Sequence, residues 1–206
     1  KSLNTKSKSH HSLQKLSVFL KATMDYQIIT QPTALPVTMQ EAQLSAKVDG
    51  DELDAKLTLS IKSIVSRAEH LMRRAVMEQV WQAKAAVFPV AIRLINPPVI
   101  EIQWIKYLDA SGIEQALDPQ SYYVDVGDET YIYSKTSWPQ TLGLPGAVKV
   151  QYKCGYGALP DDVPAAIKDY VLATLAECFD SNQKAGIDLT KPSFVESMLD
   201  RYKVWS

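Results

Sequence analysis

The sequence is poor in the side chains that metal and nucleophile chemistry require. Of its three histidines, His10 and His11 sit near the start and His70 falls within a helical stretch. Its two cysteines, Cys154 and Cys178, have no histidine close by, so neither a disulfide framework nor a zinc set is indicated. Cys154 as a nucleophile would need an electropositive setting and a base, and the only histidines lie far from it in the sequence. No phosphate-cradling glycine loop or serine-centred elbow occurs. Asp49-Gly50-Asp51-Glu52-Leu53-Asp54 has the acids of a calcium loop but lacks the Gly and Glu that such a loop places at its sixth and twelfth positions. Long apolar runs are missing too: the stretch near Ala85–Ile92 is cut by Pro89 and ended by Arg93, far below the roughly 20 residues of a spanning helix. No catalytic, cofactor-binding or metal-ligating residues are therefore assigned, and no membrane partner.

What is present is an ordinary folding composition. With 206 residues, 46% hydrophobic and 22% charged, the chain can bury one core or two small ones. Its charge is uneven: residues 1–24 carry five lysines and no acid, leaving 17 basic against 23 acidic residues for the remainder. The acidic body argues against broad phosphate binding, which depends on clustered Lys and Arg. Residues 1–23 read as a basic disordered leader. Because the chain opens on Lys1 and the patterned sequence begins just after Met24, Met24 is expected to be the native start, with residues 24–206 as the folded domain.

Thr38-Met39-Gln40-Glu41 has capping-box spacing and predicts a short helix over about Met39–Ala46. Leu53, Leu57, Ile61, Ile64, Ala68 and Met72 then recur at three- and four-residue intervals, predicting a long helix from Asp51 to Arg74. Between about 80 and 153 the period shifts towards two. Val148, Val150 and Tyr152 alternate with Lys149, Gln151 and Lys153, and Asp109-Ala110-Ser111-Gly112 supplies a turn. After Pro164, Ile167, Val171, Leu172, Leu175 and Phe179 share a helical face; Ser181 to Pro192 reads as a polar loop, and Ser193 can cap a last helix through Tyr202. The fold class is α+β: two N-terminal helices (about 39–74) and two C-terminal helices (about 164–204) in a bundle, with an inserted antiparallel β unit.

Gly155 and Gly157 fall where a strand ends and the chain turns towards a helix. They are read as a structural hinge using backbone angles open to glycine, with Cys154 half-buried on the Tyr152 face. His70 is read as solvated or at an interface. Tyr107, Tyr122, Tyr123, Tyr131, Tyr133, Trp138, Tyr202 and Trp205 are either packed cross-strand or part of a contact surface, where Tyr and Trp are enriched.

The order of these signals resembles one family. "TQPTALPVTMQEAQLSAKVDGDELDAKLTLSIKSIVSRAEHLMRRAVMEQVWQ" is similar to the opening of the head-tail connector (adaptor, or head-completion) proteins of long-tailed bacteriophages. The similarity continues through "PPVIEIQWIKYLDASGIEQALDPQSYYVD", "TSWPQ", "AVKVQYKCGYG", "LPDDVPAAIKDYVLATLAECFDS" and "ESMLDRYKVW", covering roughly residues 28–205. The resemblance implies a virion structural protein at the head-tail junction, without catalysis or cofactor, present in the host cytoplasm during assembly of a phage or prophage. It implies a ring of copies of the chain, usually twelve, beneath the portal protein, carrying a neck or tail-completion protein and passing DNA without specific binding. Such a ring needs a head-to-tail interface; Glu69, Arg73 and Arg74 are assigned to it, and Tyr202 and Trp205 to docking on a neighbour or the portal. Two other readings stay open: a small cytoplasmic enzyme with a cleft between helices and β unit, and a nucleic-acid-binding module using the leader.

Overall fold

Helix α1 spans Met39–Ala46 and begins on Thr38, whose hydroxyl accepts from the Glu41 amide while the Glu41 carboxylate accepts from the Thr38 amide at 2.7 Å. This reciprocal cap satisfies two amide donors that a helix start leaves without partners. The chain then reverses through Lys47 at φ 53°. Helix α2, Asp54–Met72, starts later than its periodicity predicts because residues 51–53 form a turn; the Asp54 carboxylate accepts from Gln43 Nε2 at 2.7 Å and ties α1 to α2. The structure, a computed structural model, describes residues 23–179 and 194–204. The leader, the 181–192 loop and Trp205 lie outside the described residues, apart from Thr23.

Leu57, Ile61, Ile64, Ala68 and Met72 form the buried stripe of α2. They pack with Ala42 and Ala46 of α1 and with Ile167, Tyr170, Val171 and Leu175 of α3, Ala165–Phe179. Each fully buried Leu or Ile here contributes about 1.5–3 kcal/mol. The predicted last helix is shorter than its spacing suggested. It consists of α4, Phe194–Ser197, followed by a separate 3-10 turn at Asp200–Tyr202. Val195 and Leu199 still reach the same core.

The β unit is two sheets, both antiparallel. Strands β1 (Asp25–Thr30), β2 (Gln79–Ala85), β8 (Val148–Cys154), β4 (Val99–Leu108) and β5 (Glu114–Ala116) lie side by side in that order. Strands β3 (Ala91–Leu94), β7 (Thr130–Ser134) and β6 (Tyr122–Asp125) form the second sheet. The two layers enclose a second core of Ala83, Ile105, Val150, Tyr152 and Cys154 against Ile92, Leu94 and Ile132. The alternation of β8 is the predicted one, with Val148, Val150, Tyr152 and Cys154 turned in. The β unit is not purely an insertion between helices. Strand β1 precedes α1 and pairs with β2 from Asp25↔Lys84 to Thr30↔Val80, with an irregularity between Ile28 and Thr30.

Candidate assembly interface

Glu69, Arg74, Tyr202 and the two glycines gather where the helices meet the sheets, and they bind their own chain. Glu69 Oε1 accepts from the Val76 amide at 2.8 Å and from Gln79 Nε2 at 3.0 Å. It thereby links the last turn of α2 to the start of β2. Burial raises the Glu69 carboxyl above the usual carboxylate range, and the two hydrogen bonds oppose that shift. Gln79 is buried, and its own Oε1 accepts from Trp81 Nε1 at 3.2 Å. Sequence reading passed over Gln79; its signal was a polar residue at an inward position of a strand, where an unpaired amide is costly.

Arg74 is similarly engaged. Its Nε donates to the Tyr202 carbonyl at 2.6 Å and its Nη2 to Asp128 Oδ1 at 2.6 Å. The Arg74 side chain is 12% exposed whereas that of Asp128 is 86% exposed. One guanidinium thus gathers the end of α2, the C-terminal turn and the β6–β7 turn, while the Val204 amide donates to the Met72 carbonyl at 3.0 Å. The Tyr202 ring meets Tyr156 edge-on at 6.4 Å. Arg73 is exposed at φ 54° and borders a groove of about 210 Å³ with Arg93, Asn96 and Asp128. Of the three residues assigned to a subunit contact, Arg73 is exposed, while Glu69 and Arg74 hold the joint.

Gly155 and Gly157 differ in what they require. Gly155 sits at φ 116°, and a Cβ there would lie 2.3 Å from the Met77 carbonyl oxygen. A Cβ on Gly157 would instead lie 2.2 Å from Asp162 Oδ2, so that position needs space rather than a left-handed backbone. The tripeptide is pinned on both sides: Gly155 N–H donates to Pro98, Tyr156 N–H to Val76, and the Gly157 carbonyl accepts from Glu78 N–H at 2.8 Å. This is a fixed joint.

Cys154 is fully buried rather than half-buried, because the second sheet covers its face, and burial and the nearby Glu69 charge both push its thiol pKa up. Cys178 and His70 are exposed. Among the described residues, no group of three His, Cys, Asp or Glu is placed to hold a metal ion, and no helix is long and apolar enough to cross a membrane. A groove of about 520 Å³ runs between the 31–36 segment and α2, with Lys62, Ser66 and Glu69 on its wall.

Solved structures resemble this arrangement. A chain from the neck of an empty gene transfer agent (GTA) particle with C6 symmetry matches at TM-score 0.73 and 14% identity, covering 88% of this chain and 96% of that one. A chain from the virion of a native GTA particle matches at TM-score 0.70 and 14% identity over the same shares. A third, from the neck of a native GTA particle with C12 symmetry, matches at TM-score 0.61 and 15% identity, covering 87% and 97%. This chain shares the fold of these GTA particle chains. No family model and no curated protein matches it.

Within the neck fold, the aromatic residues fall into pairs. Tyr123 of β6 stacks on Tyr133 of β7 with centroids 5.3 Å apart, and Tyr131 lies 6.2 Å from Tyr133. Just before β3, Phe88 stacks on Trp138 at 4.7 Å and meets Tyr107 edge-on at 5.6 Å. Such pairs add about 0.5–1.5 kcal/mol beyond the area they bury. Several apolar side chains remain largely in solvent: Leu44 at 80%, Leu59 at 71%, Val90 at 91% and Val126 at 67%. Scattered singly these are ordinary.

Proposed function

We propose that the chain is a non-catalytic structural component of a phage-type neck, forming a ring beneath the portal that continues the DNA channel and carries the next neck or tail protein. The observation that carries this reading is the likeness of fold along 88% of the chain to a neck chain, joined to the family resemblance of the sequence over roughly 28–205. The interior supports it. The half-buried carboxylate Glu69 and the buried thiol Cys154 are engaged in holding the fold, with Glu69 spent on a main-chain amide and a side-chain amide. The acidic body suits a channel wall that DNA slides past, since many Lys or Arg contacts would hold the duplex.

The reading is tested by locating the chain in a particle. Gold-labelled antibody against it should mark the single head-tail vertex of intact virions. Label along the tail, or on the capsid faces, would contradict it.

A further inference from the structure

Among the described residues both sheets end in open strands, and these fall on two opposite flanks. On one flank lie β1 and β3, joined by Tyr26 Oη donating to the Arg93 carbonyl at 2.7 Å. On the other lie β5 and β6, joined by the link 117–121, in which the Leu117 amide donates to the Ile105 carbonyl and Leu117 packs into the core between the sheets. Each flank therefore presents outward rows of main-chain donors and acceptors.

Natural sheets usually protect such edges with lysine, proline or a covering element. Strand β6, Tyr122-Tyr123-Val124-Asp125, has neither lysine nor proline and continues into Val126. Tyr123 is 49% exposed, Val124 36% and Val126 67%. Strand β1, Asp25-Tyr26-Gln27-Ile28-Ile29-Thr30, also lacks both, and Ile29 is 45% exposed. β-Branched and aromatic residues on an unguarded edge favour addition of another strand.

We propose that the occupant of each flank is a second copy of this chain: the β5/β6 flank of one copy seats against the β1/β3 flank of the next. The inference rests on the ring reading above. It supplies what that ring requires, a head-to-tail contact between two unlike surfaces that repeats with the same rotation until it closes. A contact between like flanks would pair two copies and stop. Main-chain edges are complementary without sequence matching, and the exposed Val126 and Ile29 give the two sides an apolar seal. The lateral contact then belongs to the sheets, and the residues of the helix–sheet joint remain occupied within each copy.

The test is cysteine cross-linking of the full chain in a Cys178→Ser background, which leaves Cys154 buried. Val126→Cys and Ile29→Cys are introduced singly and together, both at exposed positions, and a short bismaleimide is added at high protein concentration. The double variant should give a ladder of dimers, trimers and larger species, and each single variant should remain monomeric on a denaturing gel. Covalent dimers from a single variant would show a like-to-like contact and overturn the proposal. So would a double variant with no ladder. If electron microscopy shows that ladder-free variant as rings, the ring reading stands and the flank contact alone falls. Val126→Lys with Ile29→Lys provides a second arm: unchanged thermal unfolding with loss of the large species in sedimentation supports the contact, and retained assembly overturns it.

Discussion

Glu69 Oε1 accepts the Val76 amide at 2.8 Å, and through this bond the end of the long helix fixes the start of the sheet. The same oxygen accepts from Gln79 Nε2. Glu69→Ala would leave both donors without a partner in a mostly buried place. Unfolding in urea should show a loss of about 1–3 kcal/mol, the cost of an unsatisfied buried group.

Glu69→Gln should behave differently, because a single amide oxygen can accept both bonds. The sign of its pH effect follows from burial, which raises the folded-state carboxyl. The stabilisation linked to protonation is fully present below the unfolded value of about 4.3 and is lost as pH rises through the raised folded value. Glu69→Gln should flatten that part of the stability curve and leave neutral-pH stability equal or improved. Urea midpoints measured at a series of pH values on both proteins check this; an unchanged slope would contradict it.

Gly155 admits no side chain. Gly155→Ala places a methyl against the Met77 carbonyl and holds alanine at φ 116°, so a stability loss of at least about 2 kcal/mol is expected. Gly127→Ala is the control, since its Cβ would lie 3.4 Å from the Glu129 carbonyl at ordinary φ; it should change stability by less than about 0.5 kcal/mol. Thermal unfolding of the pair is sufficient.

Arg74 and Asp128 make an unequal pair. Arg74→Met removes the donor to the Tyr202 carbonyl as well as the ion pair, so it should cost about 1–3 kcal/mol and speed proteolysis of the C-terminal turn. Asp128→Ala removes only the exposed partner and should cost at most about 1 kcal/mol. Equal losses would mean that the carbonyl contact contributes nothing.

The two thiols should differ in reactivity. Cys154 is enclosed between the sheets and its thiol is raised by burial, while Cys178 is exposed on α3. Native protein should react with one equivalent of a thiol reagent quickly, and with two only after denaturation. Rapid modification of both in the folded state would contradict the enclosure of Cys154.

Local signals were the legible ones. The capping box at Thr38 and Glu41 set the start of α1, and the β8 alternation set which face of the strand turns in. These depend on residues a few positions apart. Strand β1 was missed because its partner β2 lies fifty or more residues along the chain and only that pairing makes Asp25–Thr30 a strand. The division into two sheets was hidden for the same reason. Glu69 and Arg74 looked like surface charges on a helix, because periodicity reveals which face of α2 they occupy but not that Val76, Gln79 and Tyr202 return to meet them. Cys154 read as half-buried since one strand cannot announce the second layer above it.

Electron microscopy of the purified chain, alone and mixed with portal rings, tests the central claim most directly. The account predicts an annulus of repeated copies seated on one face of the portal, its opening aligned with the portal channel. A chain that stays monomeric at high concentration and leaves the portal bare would contradict it.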